Sequence, residues 1–375
     1  MKNAAKLMGI MVLTAMMTFA LTSCKDIPDD NNGNGNNNSN GNNDGNDNGN
    51  SGGNGSSGGA SGTVSTNVTS DGTILAGTAN LAAKLAWLDR NAESHNTYII
   101  EINANENIAP RTLEYTGAIN ITIILRGDSA NRTIRLSSNG DMFTVCSNVT
   151  LILDNNITLQ GHNGNGGNMV TVNGGTLKMN TGSTITGNTT SGGVYVRSGT
   201  FDMTGGIISG NGKPTDFMGG GVDVRGTFTM SGGTISGNNA SIGGGVYVTG
   251  TFTMTGGTIS SNNASGSGGG VYVGWLYNTS SFTMRGGTIN NNTAVEYGGG
   301  VYVSSDGTSF TKTGGIITGY NSDSSNGNMV NDGSGVISRR GHAVYVSSRS
   351  SIKRKETTAG PEVNLSKDSA DNWDQ

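Results

Sequence analysis

Thr234-Ile-Ser-Gly-Asn-Asn-Ala-Ser-Ile-Gly-Gly-Gly-Val-Tyr-Val-Thr-Gly-Thr-Phe-Thr-Met-Thr-Gly-Gly257 is the stretch that decides the fold. Edited copies of it recur from about residue 170 almost to the end of the chain. Each copy holds three short apolar patches: a Val-x-Val such as Val246–Val248, a Phe-x-Met such as Phe252 with Met254, and a lone isoleucine such as Ile235. A motif that returns at a similar interval is typical of a solenoid, in which the copies stack on one another.

Alternation of apolar and polar residues inside the patches predicts half-buried strands. One copy cannot bury its apolar side chains alone. Stacked copies can, because equivalent residues then lie about 4.8 Å apart and the backbones pair in parallel. We therefore predict an all-β fold, a right-handed parallel β-helix with three short strands per coil, since parallel crossovers are overwhelmingly right-handed.

The residues between the patches predict the corners of the coil. Glycine pairs such as Gly232 and Gly233 are expected where the backbone needs a positive φ. An asparagine that follows the isoleucine by three positions can bond its own backbone or its copy in the next coil. The copies hold it at Asn188, Asn211, Asn238, Asn262 and Asn292. In the last copy Tyr320 takes that position and Lys312 replaces the methionine, as expected where a regular stack ends.

The rest of the chain divides by composition. We predict a lipoprotein signal peptide over residues 1–24, a disordered Asn/Gly/Ser linker over residues 25–62, an N-terminal cap with the first coils over residues 63–145, the repeat β-helix over residues 146–347 and a basic C-terminal tail over residues 348–375. The linker holds almost nothing apolar that it could bury.

The first segment carries a processing signal. Lys2 and Lys6 precede an apolar stretch that is too short to span a bilayer stably, and Leu21-Thr-Ser-Cys24 follows. This resembles the bacterial lipobox, in which the cysteine is acylated and becomes the mature N-terminus; an ordinary signal peptide with a chance cysteine is the alternative. With Cys24 lipidated, Cys146 would be left alone and no internal disulfide is expected.

A helix is predicted over residues 80–94, ahead of the repeats. Leu81, Leu85 and Leu88 fall on one helical face, and Asn80 is a suitable N-cap. An open β-helix end exposes ladder ends and strand edges, so we interpret this helix as the N-terminal cap, with Trp87 in its core.

The repeat also resembles a known family. Ile235-Ser-Gly-Asn238 followed by Gly243-Gly-Gly-Val-Tyr247 is similar to the polymorphic outer-membrane protein repeat, in which a Phe-x-x-Asn precedes a Gly-Gly-Ala-aliphatic. Isoleucine here replaces the phenylalanine, and glycine the alanine. The chain likewise resembles repeat-bearing lipoproteins of host-associated spirochaetes. The likeness covers about the last half of the chain. It implies a surface-exposed β-helix, often linked to adhesion, and supplies no catalytic residues.

One outward position suggests a binding face. The middle residues of the Val-x-Val patches are Tyr195, Asp223, Tyr247, Tyr272, Tyr302 and Tyr345. Stacked in register, these tyrosines would line one exterior face and could stack on sugar rings or anchor a protein partner. The simpler interpretation is that tyrosine suits strands and shields the sheet.

Two loops leave the predicted coils at the same corner. Residues 274–281 contain Trp275 and Tyr277, and residues 304–309 contain Asp306. Insertions in solenoids cluster on functional faces, so these three residues join Tyr247, Tyr272 and Tyr302 as candidate binding residues. Alternatively, the loops pack their own aromatic rings.

Evidence for catalysis is sparse. Asp202, Asp223 and Asp306 lie in different copies, and only Asp202 with Arg225 is expected to approach across adjacent coils. Such pairs are more often solvated surface charges than active sites. No metal site or cofactor is predicted, and a net charge of −4 argues against a nucleic-acid binder.

The sequence predicts a lipid-anchored protein of the bacterial cell envelope, at the outer membrane or cell surface. Its β-helix would present a binding face to a host glycan or matrix protein, without catalysis. A polysaccharide lyase or hydrolase is the first alternative, because β-helices host such enzymes. A structural coat protein without a specific ligand is the second.

Overall fold

The computed structural model describes Cys24 and residues 62–215, 218–274, 280–304, 308–336 and 341–347, together with the backbone of the strands Ser351–Lys355 and Glu362–Asn364. These residues form a parallel β-solenoid of about nine turns with a short N-terminal helix, which confirms the predicted parallel β-helix. Within the described ranges, no helix is both long enough and apolar enough to cross a membrane.

Three kinds of strand repeat along the solenoid, named after their apolar motif. The valine strands are Arg111–Leu113, Phe143–Cys146, Val222–Val224, Val246–Val248, Val271–Val273, Val301–Val303 and Val344–Val346, with the first halves of Val170–Met179 and Val194–Met203. The phenylalanine strands are Gly72–Ala76, Thr97–Ile102, Ile121–Gly127, Val149–Leu153, Thr227–Met230, Thr251–Met254, Ser281–Met284, Ser309–Lys312 and Ser351–Lys355, with the second halves of the same two strands.

The isoleucine strands form a separate parallel sheet. They are Glu106–Ile108, Arg132–Leu136, Ile157–Gln160, Ser183–Thr186, Ile207–Ser209, Thr234–Ser236, Thr258–Ser260, Thr288–Asn290 and Ile316–Ile317. A fourth element that the sequence did not predict follows the asparagine in four coils: Asn239–Ala240, Asn263–Ala264, Thr293–Ala294 and Met329–Val330.

Equivalent apolar residues lie in register inside the solenoid. The phenylalanine strands pair in parallel so that one ring faces the next, at Phe201, Phe228, Phe252, Phe282 and Phe310. All five rings are fully buried, and successive ring centroids lie 4.6–4.9 Å apart. Burying one such side chain stabilises a fold by about 1.5–3 kcal/mol, and stacking of rings adds to this. The interior is therefore a set of continuous apolar columns.

The corner asparagines form a buried hydrogen-bonded ladder. From Asn211 to Asn292, each Nδ2 donates to Oδ1 of the asparagine in the next coil and to the isoleucine carbonyl of the preceding coil; Asn238, for example, bonds Asn262 and Ile208, both at 3.0 Å. Asn188 differs, because its Nδ2 donates to the Gly167 and Gly192 carbonyls and its backbone N–H donates to Asn211 Oδ1. The ladder also extends beyond the predicted set, because Asn292 donates to Asn328 at 2.8 Å. Tyr320 was therefore the wrong choice for the last copy.

An extra turn accounts for the displaced asparagine. The backbone N–H groups of Tyr320 and Asn328 bond the carbonyls of Asn328 and Thr318, at 2.9 and 2.7 Å. Residues 319–327 thus leave the coil and return before the ladder position. The predicted corner geometry holds elsewhere, since Gly206, Gly233 and Gly257 have φ of 81°, 83° and 84°.

The N-terminal end is covered as predicted. The helix spans Leu81–Asn91, slightly shorter than expected, and Asn80 caps it by accepting the Ala83 N–H at 2.9 Å. The leucines of this helix are buried in the core, and the half-buried side chain of Trp87 packs against the same core. Two antiparallel pairings end the sheet: Ser65–Thr69 on Gly72–Ala76, and Glu362–Asn364 on Ser351–Lys355.

The cysteines depart from the sequence prediction. Cys24 and Cys146 form a disulfide with Cα atoms 5.7 Å apart, so the expectation that Cys146 has no partner is wrong. The spacing of two cysteines 122 residues apart carried no signal for this pairing. The sulfur of Cys24 is also the atom that would carry the predicted lipid. One molecule cannot hold both bonds, and lipidation stays a prediction.

Candidate functional site

The outward residues of the valine strands form the tyrosine column: Tyr195, Asp223, Tyr247, Tyr272, Tyr302 and Tyr345. Parallel pairing places each of these opposite the next, as the sequence predicted. The rings of Tyr272 and Tyr302 stack with centroids 4.8 Å apart, and Tyr302 stacks on Tyr345 at 5.6 Å. The solenoid therefore builds an aromatic strip that runs along its axis.

Only part of this strip is accessible. Tyr195, Tyr272 and Tyr302 are half-buried, whereas Tyr247 is 2% exposed and Tyr345 is 7% exposed. The prediction of a uniformly exposed row is therefore wrong for Tyr247 and Tyr345. A neighbouring residue covers Tyr345: the ring of Tyr297 lies 4.5 Å from that of Tyr345. Nothing in the repeat pattern marked Tyr297, since it belongs to a turn.

Burial also fixes the protonation of the accessible rings. It raises the pKa of the Tyr272 phenol, and a side-chain hydrogen bond with Ser304 works against this rise. Burial likewise raises the pKa of Tyr302, with further increases from the neighbouring phenols Tyr272 and Tyr345. Both hydroxyl groups therefore stay neutral at physiological pH and can act as hydrogen-bond donors.

Asp223 interrupts the column with a charge. It is 9% exposed, and burial raises its pKa to about 6, against the lowering effect of Arg225. Nη2 of Arg225 lies 3.6 Å from Asp223 Oδ2, and the guanidinium carbon lies 4.9 Å from the centroid of the Tyr195 ring. Among the described residues, Asp223 Oδ1 has no hydrogen-bond partner. Asp223 and Arg225 are two residues apart, and residues at this spacing along an extended strand point to the same face of the sheet.

The expected pairing of Asp202 with Arg225 is wrong. Asp202 accepts a short hydrogen bond from the Thr229 hydroxyl on the next coil, while Arg225 turns toward Asp223 and Tyr195. In the described part of the chain, no group of three or more His, Cys, Asp or Glu side chains could hold a metal ion.

The two predicted loops begin side by side. A Cβ added to Gly274, which has a φ of 105°, would lie 2.3 Å from Ser304 Oγ and 2.4 Å from Thr308 Oγ1. The loop starts are therefore in contact across adjacent coils, next to the tyrosine column. The candidate residues Trp275, Tyr277 and Asp306 themselves lie outside the described residues.

A third insertion, which begins at Lys213, lies before the valine strand Val222–Val224, whereas the other two loops follow their valine strands. It leaves the coil before the valine strand of Asp223, and the Ser265 hydroxyl donates a short hydrogen bond to the Pro214 carbonyl. Because Ser265 belongs to a later coil, this contact joins the insertion to the turns beside the tyrosines. The column thus has insertions on both sides, and Asp223 lies near one end of it.

Comparison with protein-family models, with curated proteins and with solved structures finds no match for the chain.

Proposed function

We propose that this chain is a lipid-anchored protein of the bacterial envelope whose solenoid binds a host glycan or matrix protein, without catalysis. The observation that supports this most is the tyrosine column. Its accessible rings, Tyr272 and Tyr302, present aromatic surface together with neutral hydroxyl groups, beside two loops that start at the same corner. Aromatic rings with a polar end are enriched where proteins bind partners and sugars.

A binding screen tests this function. The purified chain is passed over immobilised glycans and matrix proteins, alongside Tyr272→Ala and Tyr302→Ala. The matched control is Thr251→Ala, an exposed residue of a phenylalanine strand on another face. We expect a saturable ligand whose affinity falls about tenfold or more in either tyrosine variant, as for a hot-spot residue, and stays unchanged in the control. An affinity that is unchanged in both tyrosine variants would refute the tyrosine column as the binding face.

The anchor has its own test. A lipidated Cys24 leaves Cys146 as a free thiol, whereas the disulfide leaves none. We therefore propose to count thiols in the denatured membrane fraction, where the anchored form should show one thiol per chain and an acylated N-terminal peptide. Cys24→Ala should release the protein from the membrane. Absence of both thiol and lipid would leave the disulfide form as the mature state and end the anchor proposal.

A polysaccharide-acting enzyme is the second candidate. Asp223 supports it, because a carboxyl group with a pKa of about 6 can give up and take back a proton near neutral pH. Incubation with polysaccharides and detection of shortened products separates the two proposals. Product formation that disappears in Asp223→Asn would favour the enzyme, and intact polysaccharide would favour the binding scaffold.

A further inference from the structure

We infer that Arg197 and Arg225 form an anion-binding subsite at the Tyr195 end of the tyrosine column, which takes the carboxylate or sulfate of an acidic sugar. This inference rests on the proposed binding function and specifies its ligand as a negatively charged glycan. Such a subsite requires two exposed cations on adjacent coils, contacts that orient one of them, and an aromatic surface within reach of the same sugar chain.

The two arginines lie next to one another because of the coil register. Val196 pairs with Val224, and the Arg225 N–H donates to the Val196 carbonyl at 2.8 Å. Arg197 and Arg225, which directly follow these two valines, are therefore neighbours along the axis. Adjacent parallel backbones are about 4.8 Å apart. Arg197 and Arg225 are both exposed, and the salt bridge that Arg225 makes is the one with Asp223, at 3.6 Å.

Arg225 is held in place before any ligand arrives. Its guanidinium carbon lies over the ring of Tyr195, 4.9 Å from the centroid, and its Nη2 lies 3.6 Å from Asp223 Oδ2. A guanidinium group fixed by an aromatic face loses little freedom on binding, and its fork of N–H donors matches a carboxylate or sulfate. At 54% exposure the Arg225 side chain still offers donors to a ligand.

The spacing of the coils extends the site to the tyrosines. Tyr272 lies two coils beyond Asp223 and Tyr302 three coils beyond, which corresponds to roughly 10–14 Å along the axis. A sugar chain that lies parallel to the axis can therefore hold an acidic residue at Arg225 and stack a later residue on Tyr272 or Tyr302.

Asp223 sets the pH dependence of this subsite. Its carboxylate offsets part of the Arg225 charge and repels an anion, and it loses its charge as the pH falls through its pKa of about 6. Burial raises the pKa of the Tyr195 phenol, Asp223 and Asp141 raise it further, and Arg225 and Arg197 lower it. Burial also raises the pKa of Tyr247, with smaller increases from Asp223 and Tyr272 and a decrease from Arg225. Because Asp223 loses its negative charge between pH 7.5 and pH 5, anion binding should strengthen on acidification.

Three immobilised polymers test the inference: polygalacturonate for carboxylate, dextran sulfate for sulfate, and neutral dextran. The purified chain should bind one or both acidic polymers, more tightly at pH 5 than at pH 7.5 by about threefold or more, the change expected from removing one nearby charge. Arg225→Ala should weaken this binding about tenfold. Arg285→Ala removes an exposed arginine that follows the strand Ser281–Met284 and should leave this binding unchanged.

Asp223→Asn gives the decisive result, because a purely structural aspartate would not predict a gain. This variant should bind the acidic polymer at pH 7.5 as tightly as the parent chain does at pH 5, with the pH dependence removed. Equal binding of neutral dextran, or acidic-polymer binding that is insensitive to Arg225→Ala, overturns the inference. Vesicles of anionic lipid are tested in parallel, and binding to them but to neither acidic polymer also overturns the inference. If neutral glycans or matrix proteins still bind through Tyr272, the proposed function survives without this subsite.

Discussion

Asn238 donates a hydrogen bond of 3.0 Å from Nδ2 to Oδ1 of Asn262 on the next coil, and the same oxygen accepts the Asn238 backbone N–H at 3.1 Å. Asn262 repeats this arrangement with Asn292 and also donates to the Ile235 carbonyl. Each amide is buried, so a lost bond leaves a polar group without solvent. The ladder thereby ties the corner after each of these isoleucine strands to the same corner of the next coil.

Breaking this ladder should destabilise the solenoid strongly. Asn262→Ala removes the acceptor of two Asn238 donors and leaves both unsatisfied in the interior. We expect a loss of about 2–4 kcal/mol in unfolding free energy, measured by urea denaturation. Thr251→Ala, at an exposed position, should cost less than about 0.5 kcal/mol. Equal stability of the two variants would mean that the ladder contributes little.

The phenylalanine column makes a second prediction. Phe252 lies between Phe228 and Phe282, at centroid distances of 4.7 and 4.6 Å. Phe252→Ala leaves a cavity between two rigid coils and should cost about 3–5 kcal/mol. Thr253→Ala alters the next residue, which points outward, and serves as the matched control. A thermal melt of both variants checks the difference, and a small effect at Phe252 would show that the stack collapses into the space.

Much of this interior followed from the sequence alone. Identical side chains recur at positions such as Phe252 and Ile235, and period two fixes which of them point inward. Parallel stacking then requires like residues to meet, so the columns, the corner glycines and the asparagine ladder could all be predicted. The N-cap at Asn80 followed from residue chemistry in the same way.

The departures come from contacts outside the repeat period. Asn328 joins the ladder after an inserted turn, so counting three residues from Ile317 led to Tyr320. Burial of Tyr345 depends on Tyr297 in a turn, and turn conformation leaves no periodic signal. The Cys24–Cys146 bond joins two distant segments, for which the repeat offers no spacing rule.

Asp223 should make stability depend on pH. Burial raises its pKa from 3.8 to about 6, so the folded chain holds the proton more tightly than the unfolded chain does. The charged carboxylate therefore costs stability above about pH 6, and this cost disappears as the pH falls toward 4. Asp223→Asn should raise the unfolding free energy at pH 7.5 by up to about 3 kcal/mol and change it little at pH 4.

Thermal unfolding at the two pH values checks this prediction. Asp71→Asn, in the exposed turn of the first hairpin, is the control and should behave like the parent chain at both. A destabilised Asp223→Asn at pH 7.5 would mean that the Arg225 contact outweighs the burial of the charge.

The central claim is that successive coils stack in register, since the interior columns and the tyrosine column both follow from it. Thr176 and Ser309 lie in one outward column, five coils apart through Thr200, Thr227, Thr251 and Ser281. Nitroxide labels at Thr176→Cys and Ser309→Cys, with Cys24 and Cys146 changed to serine, report their separation by electron–electron resonance. In-register stacking predicts one narrow peak near 24 Å, allowing for label length. A broad distribution, or a peak well beyond 35 Å, would contradict it.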